Sequence, residues 1–504
     1  MTEATSGRPR LLLEIVVFCV GMASLGAEIA AARLMAPWFG ASTIVWANTI
    51  ATVLVALSIG YAIGGRLADR NPTMAGLARC VVAAAALLAL VPFVSGPFLR
   101  QSTKAFSELS GGLFVGSLLG VGVLIAVPVL LLGMVSPYAV RLKVDQVADA
   151  GRVAGRLYAI GTIGSLTGTF LAALLLIPLV GTRRTFLIFA LTLALTVVPA
   201  LGRRWFVAAA VAAVIAVLIA VPVGSTKTTT TAGKVIWERE TEYQYARVIQ
   251  QSDGRRLLEL NEGQAVHSVY TKGEWLTGGY WDEMLVLPFA GANRPKRVAI
   301  LGSAAGTTAR AMAHYFPDIH IDAVEIDPDV TAVGRELFDL HGKSITTHAA
   351  DARPWLQAQT GTYDAILVDA YRQPYIPFYL TTREFFDVVK ERLNPGGVVA
   401  INVGHPAESD KLEKVLSATL RASFGQDRVS RDPAEDTNSM LLATTSAADP
   451  AEQLRTAEMP GEVRSVAAAT ADRIQPGLTG GPVYTDDRAP VEWLVDASLA
   501  QVAE

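Results

Sequence analysis

The chain has 504 residues, 51% of them hydrophobic and only 18% charged. Soluble globular domains carry about 25% charged residues, so the composition argues against a wholly soluble protein and excludes disordered and collagen-like classes. A net charge of −3 offers no broad basic surface, so no nucleic-acid partner is expected. The two cysteines, Cys19 and Cys80, lie in apolar segments, which excludes a disulfide framework or a cysteine-based metal site in the polar half.

All six histidines lie beyond residue 260, which splits the chain into an apolar first part and a globular second part. A helix needs about 20 mostly apolar residues to cross a bilayer. Runs of that kind occur near 11–33, 43–64, 76–94, 113–139, 154–180, 184–201 and 204–223. They predict a transmembrane domain over 1–224 with about seven helices. The first run is too long, and followed by too many others, to be only a cleaved signal. Gly60 with Gly64 and Gly164 with Gly168 are spaced for close helix packing, expected within one bundle rather than between copies. A homodimer remains compatible with the sequence.

Two acids interrupt the first span. Glu14 and Glu28 share a helix face at about 100° per residue. An ionised group at mid-membrane costs about 2.5–3.5 kcal/mol even on the lenient scale. Glu14 is open to snorkelling, whereas Glu28 with Arg33 predicts an internal ion pair or a polar pathway. After the second span, Gly65-Arg66-Leu67-Ala68-Asp69-Arg70 resembles the first half of the major-facilitator loop motif. Its usual continuation is missing, and seven spans do not supply the twelve helices of those transporters. Arginine and lysine flank the spans in a way that leaves the orientation open. The expected location is the cell membrane, multi-pass, with the cytoplasmic side favoured for the globular part.

A Thr-rich linker over 225–234 leads into a β-rich subdomain over 235–290, where Ser252-Asp253-Gly254 signals a hairpin. From 291 to 445 strands and helices alternate. Strands are predicted at 297–301, 321–326, 345–349, 363–369 and 398–403, and helices at 306–316, 328–338, 381–393 and 409–422. This pattern is a Rossmann-like, doubly wound α/β fold, whose ligands bind outside the carboxyl ends of the strands. The remainder, 446–504, reads as a partly irregular C-terminal tail.

The residues just after the strands carry chemistry. The first strand ends in Gly302-Ser303-Ala304-Ala305-Gly306, a loop with two glycines that opens a helix. Glu325 follows about 20 residues later, at the spacing of an acid that accepts hydrogen bonds from a ribose diol. Asp351 ends the third strand, placed to contact an adenine amino group, and Asp369 ends the fourth, where a reacting group would sit. Each acid alone reads as a helix cap or a solvated loop residue, but three at consecutive strand ends beside a glycine loop point to function.

Residues from about 235 to 445 resemble the spermidine synthase (polyamine aminopropyltransferase) family, with its S-adenosylmethionine-type methyltransferase fold. The resemblance rests on Glu242-Tyr243-Gln244, Leu258-Glu259-Leu260-Asn261-Glu262-Gly263-Gln264, Tyr280-Trp281-Asp282-Glu283-Met284, Val324-Glu325-Ile326-Asp327 and Leu393-Asn394-Pro395-Gly396-Gly397-Val398. The whole chain looks like the bacterial variety fused to a membrane bundle. By that resemblance Gln244, Gln264, Glu325 and Asp351 hold the nucleoside, with Gly302, Ser303, Gly306 and Ala352 beside them, and Asp369 is the base. Decarboxylated S-adenosylmethionine would be the donor, no metal is implied, and the partners are the bilayer and a small amine. Tyr280, Asp282, Tyr371, Arg372, Asp486 and Asp487 would meet the acceptor.

Two positions depart from the family. The acid of its glycine loop is Ala305 here, and the second acid after the catalytic one gives way to Ala370, Tyr371 and Arg372. A guanidinium about 4 Å from an ammonium costs up to about 4 kcal/mol at an effective dielectric of 20, which counts against a diamine unless Asp282, Asp486 or Asp487 compensates. Both departures leave room for a methyltransferase that uses S-adenosylmethionine on a small or membrane-borne acceptor. A third reading is a transporter or sensor that binds a nucleoside without turnover. In the C-terminal stretch, a segment docked by Trp493 competes with one in which Asp486 and Asp487 close the site.

Overall fold

A computed structural model describes residues 7–40, 43–106, 112–144, 146–221, 233–261, 265–371, 375–405, 409–433 and 437–495. Gln264, Arg372 and most of the expected linker lie outside these. The chain divides into two compact units. One is built on residues up to 228 and includes 240–245; the other is built on residues 229–239 and 246–504.

The first unit is helical. It contains α1 (Gly7–Phe39), α2 (Thr43–Arg70), α3 (Met74–Phe106), α4 (Gly112–Gly133), α5 (Val135–Lys143), α6 (Ala150–Phe170), α7 (Ile177–Thr196) and α8 (Trp205–Ala220). Among the described residues six apolar stretches are long enough to cross a membrane. One of them, Val147–Ala200, runs for 54 residues, about 80 Å if straight, far beyond a bilayer. It does not stay straight. A π-helical turn, Leu171–Leu176, follows α6, and inside α7 Gly181 takes φ 83°, ψ 163°. That positive-φ, extended geometry suits glycine and breaks the helix between the two spans, 154–180 and 184–201, expected from sequence.

Both glycine pairs pack inside the bundle. A Cβ on Gly164 or Gly168 would collide with the carbonyl of Phe18 or Met22 on α1, and one on Gly60 or Gly64 with Leu130 or Met134. Glu14 does not snorkel freely; Lys143 and Arg156 both bind it. The expected Glu28–Arg33 pair is not made, because Arg33 donates to the carbonyls of Thr241 and Glu242.

The second unit opens with a four-stranded antiparallel sheet in the order β1 (Lys234–Glu240), β2 (Tyr245–Gln250), β3 (Arg256–Leu260) and β4 (Val266–Tyr270). Residues 280–286, read as part of this β-rich stretch, are instead helix α9 (Tyr280–Val286), with Asp282 and Glu283 favourably placed in its first turn. Then come β5 (Arg297–Leu301), α10 (Thr307–Tyr315), β6 (His320–Glu325), α11 (Pro328–Leu337), β7 (Ile345–Ala349), α12 (Ala352–Ala358), β8 (Tyr363–Val368), α13 (Arg383–Glu391), β9 (Leu393–Gly404) and α14 (Lys411–Phe424). The chain ends with β10 (Val429–Asp432), β11 (Asn438–Thr444), α15 (Pro450–Thr456), α16 (Gly461–Arg473) and β12 (Gln475–Pro476).

The eight-stranded sheet has the order β12-β10-β11-β9-β8-β5-β6-β7. Strands β9 to β7 in that row are parallel, and β10, β11 and β12 add an antiparallel edge. The chain winds outward from β5 through β6 and β7, then returns to the other side of β5 with β8. A topological switch point therefore opens between β5 and β8.

The stretch after 446 is not an irregular tail. Ala451, Leu454, Met459, Val463, Ala467 and Ala471 of α15 and α16 join the core that holds Val298, Ile300 and Leu367. Their spacing of three to five residues puts one apolar face on that core, a signal partly hidden by the many alanines. Trp493 does not dock the end of the chain, being 69% exposed; Tyr484 and Val491 are buried in its place.

Candidate active site

The glycine loop and Asp369 face each other across the switch point. Gly302 has φ 89°, and a Cβ there would lie 2.6 Å from Cα of Ala370, so only glycine lets the two strand ends approach this closely. Ala304 also has positive φ, 47°, an unfavourable conformation for a residue with a side chain. It is held because its N–H donates to Glu325 Oε2 at 2.9 Å. Strain of this kind concentrates at binding sites. Ser303 is buried, and its Oγ finds no partner within the protein.

The four strand-end acids separate into two kinds. Asp327 and Asp351 are helix caps, accepting from the N–H of Asp329 and Arg353 at the starts of α11 and α12. Asp351 also accepts from the Tyr379 hydroxyl at 2.8 Å. Glu325 and Asp369 cap nothing. Glu325 accepts from the N–H of Ala304 and of Asp327, and burial pushes its carboxyl up to about 7 against those bonds. Asp369 accepts from Asn402 Nδ2 at 2.8 Å on Oδ1 and from the Tyr280 hydroxyl at 3.1 Å on Oδ2. Enclosure pushes it up to about 7 as well, with the two neutral donors pulling the other way.

Asn402 is the residue that sequence reasoning missed. It ends β9, so the rule that pointed to Glu325, Asp351 and Asp369 points to it equally; an amide drew less attention than an acid. Its Oδ1 accepts from Asn438 Nδ2 at 2.7 Å, and its carbonyl accepts from the Tyr371 hydroxyl at 3.0 Å. Tyr371 in turn accepts from the Gly404 N–H, and burial raises its hydroxyl above the usual range.

The other sequence candidates are placed as follows. Asp282 is buried and accepts from the N–H of Thr277 and Gly278, shaping the turn before α9. Asp486 is held by Arg353 through two bonds of 2.7 Å and by Thr382, and the Arg353 guanidinium keeps its carboxyl below the usual range. The docked reading of the C-terminal segment thus accounts for Asp486, while Asp487 is exposed in the same turn. Gln244 is buried in the turn before β2, and Ala352 opens α12. The departure at Ala305 is structural: its side chain is fully buried among Val248, Leu258, Leu260, Val330, Val333 and Phe338, and its N–H donates to Ser268.

A family described as the spermine/spermidine synthase domain matches residues 279–429, the stretch that contains the switch point and Asp369. That stretch of the chain is similar to the spermine/spermidine synthase domain. A probable polyamine aminopropyl transferase of Bifidobacterium longum (strain NCC 2705) is 34% identical over 285 residues, 53% of this chain and 63% of that one. A polyamine aminopropyltransferase of Mycobacterium tuberculosis (strain CDC 1551 / Oshkosh) is 27% identical over 452 residues, 84% of this chain and 82% of that one. Putrescine N-methyltransferase 1 of Nicotiana tabacum is 33% identical over 175 residues, 33% of this chain and 44% of that one. The chain spans less than two thirds of the first and third of these relatives. Among the described residues the Asp369 carboxylate is bonded only to two neutral donors, and no group of three or more metal-ligating side chains occurs.

Proposed function

We infer that the synthase domain transfers an aminopropyl group from decarboxylated S-adenosylmethionine to an amine, with Asp369 taking the proton. The observation that carries this reading is the setting of Asp369: half-buried at the switch point, its carboxylate bonded among the described residues only to neutral donors, and pushed by desolvation up to about 7. A base of that strength is largely ionised just above neutrality and still proton-hungry.

An adenosyl donor fits the residues present. The unpartnered Ser303 Oγ and the close Gly302 backbone form its cradle, and Glu325 offers carboxylate oxygens to a ribose diol. Gln244, Gln264, Gly306, Asp351 and Ala352 complete the set proposed from sequence. Tyr280, Asp282, Tyr371, Arg372, Asp486 and Asp487 are the acceptor-side set, of which Tyr280 touches Asp369 directly. The acceptor ammonium gives a proton to Asp369, its nitrogen attacks the carbon bonded to the sulfonium, and the C–S bond breaks as C–N forms. The sulfur leaves as the neutral thioether of methylthioadenosine. Rate enhancement comes from orientation of the two reactants and from the proton acceptor.

One observation favours a second reading. Ala305 is sealed in an apolar cluster, so nothing at that position binds the amine that distinguishes the decarboxylated donor. Methyl transfer from S-adenosylmethionine, with the same base, is the alternative, and the acceptor is then a small amine or a membrane-borne one. The apolar helices are read as spanning the cell membrane, with the synthase domain on the cytoplasmic side where adenosyl donors are made. Mass spectrometry on the full-length protein with a mixture of amines decides between them. Methylthioadenosine and a lengthened amine from the decarboxylated donor support aminopropyl transfer; S-adenosylhomocysteine from the other donor overturns it in favour of methyl transfer.

A further inference from the structure

Helix α1 carries two acids that the bundle treats in opposite ways. Glu14 is neutralised by Lys143 and Arg156, the latter with Nε at 2.9 Å. Glu28 makes no ion pair or hydrogen bond among the described residues, and Arg33, the nearest cation along the helix, is taken by the carbonyls of Thr241 and Glu242 within the same unit. Glu28 also lies deep. The apolar stretch Leu11–Phe39 has its midpoint at residue 25, so Glu28 is only about 4.5 Å from it along the axis.

A second unmet group sits on the same face. Ser24, one turn earlier, is 5% exposed, and its Oγ has no partner. The wall opposite is irregular. Gly164 packs on Phe18 and Gly168 on Met22, so α1 and α6 advance together four residues for four. Continuing that register brings Glu28 level with residue 174, inside the π-helical turn Leu171–Leu176. A π-turn sets its carbonyls off the regular ladder, and such turns recur at functional sites. Beyond it the helix breaks at Gly181. Discontinuous membrane helices whose freed carbonyls face an ion are how transporters hold cations at mid-membrane.

We propose that Ser24, Glu28 and the turn Leu171–Leu176 form a binding site for a primary ammonium group inside the helical unit. The two unmet side chains there, the Glu28 carboxylate and the Ser24 hydroxyl, both offer acceptor oxygens, and the π-turn packs against the same helix. An ammonium brings one positive charge and three donors, which match them. A proton alone would neutralise Glu28 and leave the hydroxyl as it is. The choice of an amine over another monovalent cation rests on the reading of the synthase domain as amine-modifying.

The test is equilibrium binding of radiolabelled putrescine to the full-length protein in lipid nanodiscs, with methylthioadenosine release measured on the same samples. Wild type shows a class of sites that weakens at least tenfold in Glu28→Gln and survives in Glu28→Asp, with product release unchanged in both. Ser24→Ala, a mild change that keeps the fold, weakens the same class by a smaller factor. Glu28→Gln and Ser24→Ala isotherms that both superimpose on wild type overturn the site, as does loss of the binding class in Asp369→Asn alone. Failure of the synthase reading looks different: no product from wild type, with the Glu28-dependent class still present.

Discussion

Within the α/β unit, carboxylates at the switch point and carboxylates at the periphery are built differently. At the periphery three acids each meet an arginine. Glu259 on β3 accepts from Arg247 Nε at 2.8 Å across the strand pair, Asp432 binds Arg473 at 2.7 and 2.8 Å, and Asp486 binds Arg353. At the switch point, among the described residues, Glu325 and Asp369 meet only backbone N–H groups, an amide and a phenol. An arginine neutralises a carboxylate and lowers its proton affinity; a neutral donor fixes its geometry and leaves its charge for an incoming cation. The contrast marks which acids hold the fold together and which are available for chemistry.

The largest effect expected from this contrast is on Asp369. Asp369→Asn removes the proton acceptor while keeping the side-chain volume and an acceptor for Tyr280, so turnover should fall by at least about 10³-fold, near the upper range for general-base catalysis. Donor binding should change little. Turnover within a factor of ten of wild type would remove Asp369 from the chemistry. In wild type the base works only when ionised, so kcat/KM should fall about tenfold per pH unit below about 7 and level off above it. At the periphery the reverse applies. Arg247→Ala leaves Glu259 buried without its partner and should destabilise the unit by about 3 kcal/mol, read by thermal unfolding, with kcat nearly unchanged in the folded protein.

The parallel strands and the positions of Glu325, Asp351 and Asp369 were legible in the sequence, because buried parallel strands read as apolar runs and their ends are punctuated by acids. Which acid caps a helix was not. Asp351 and Asp369 look alike in sequence, and only the N–H geometry after each strand separates a cap from a free carboxylate. Asn402 sits at a strand end that the same rule marks, but its role, like that of Asn438, depends on what the amide touches. In α15 and α16 the alanines that bury one face also blur its periodicity. At Gly181 the sequence shows a glycine among apolar residues, whereas the turn it makes depends on how α6 and α7 pack on α1.

The amide that holds Asp369 gives a smaller and more diagnostic effect. Asn402→Ala removes a donor that opposes the upward push of burial, so the acid limb of the pH profile should move to higher pH, with kcat down about tenfold at pH 7 and less at pH 8.5. A merely structural role would lower kcat equally at all pH values. Asn402→Gln, which keeps the amide, should recover part of the loss, and Asn438→Ala should reproduce a weaker version because it frees Asn402 Oδ1.

Asp486 should give the smallest effect, and it tests where the boundary between the two kinds of acid runs. Its carboxylate is bonded to Arg353 twice and to Thr382, but its side chain is 45% exposed, and pairs in such settings contribute about 1 kcal/mol or less. Asp486→Asn should therefore lower stability slightly and change KM for the amine by less than about threefold. Arg353, freed of its partner, still donates to the Tyr379 carbonyl, and the Tyr379 hydroxyl still reaches Asp351, so the lining on that side keeps its shape. A tenfold rise in KM with kcat unchanged would mean that Asp486 meets the acceptor while bound to arginine. Pairing with arginine would then no longer separate structural acids from working ones in this fold.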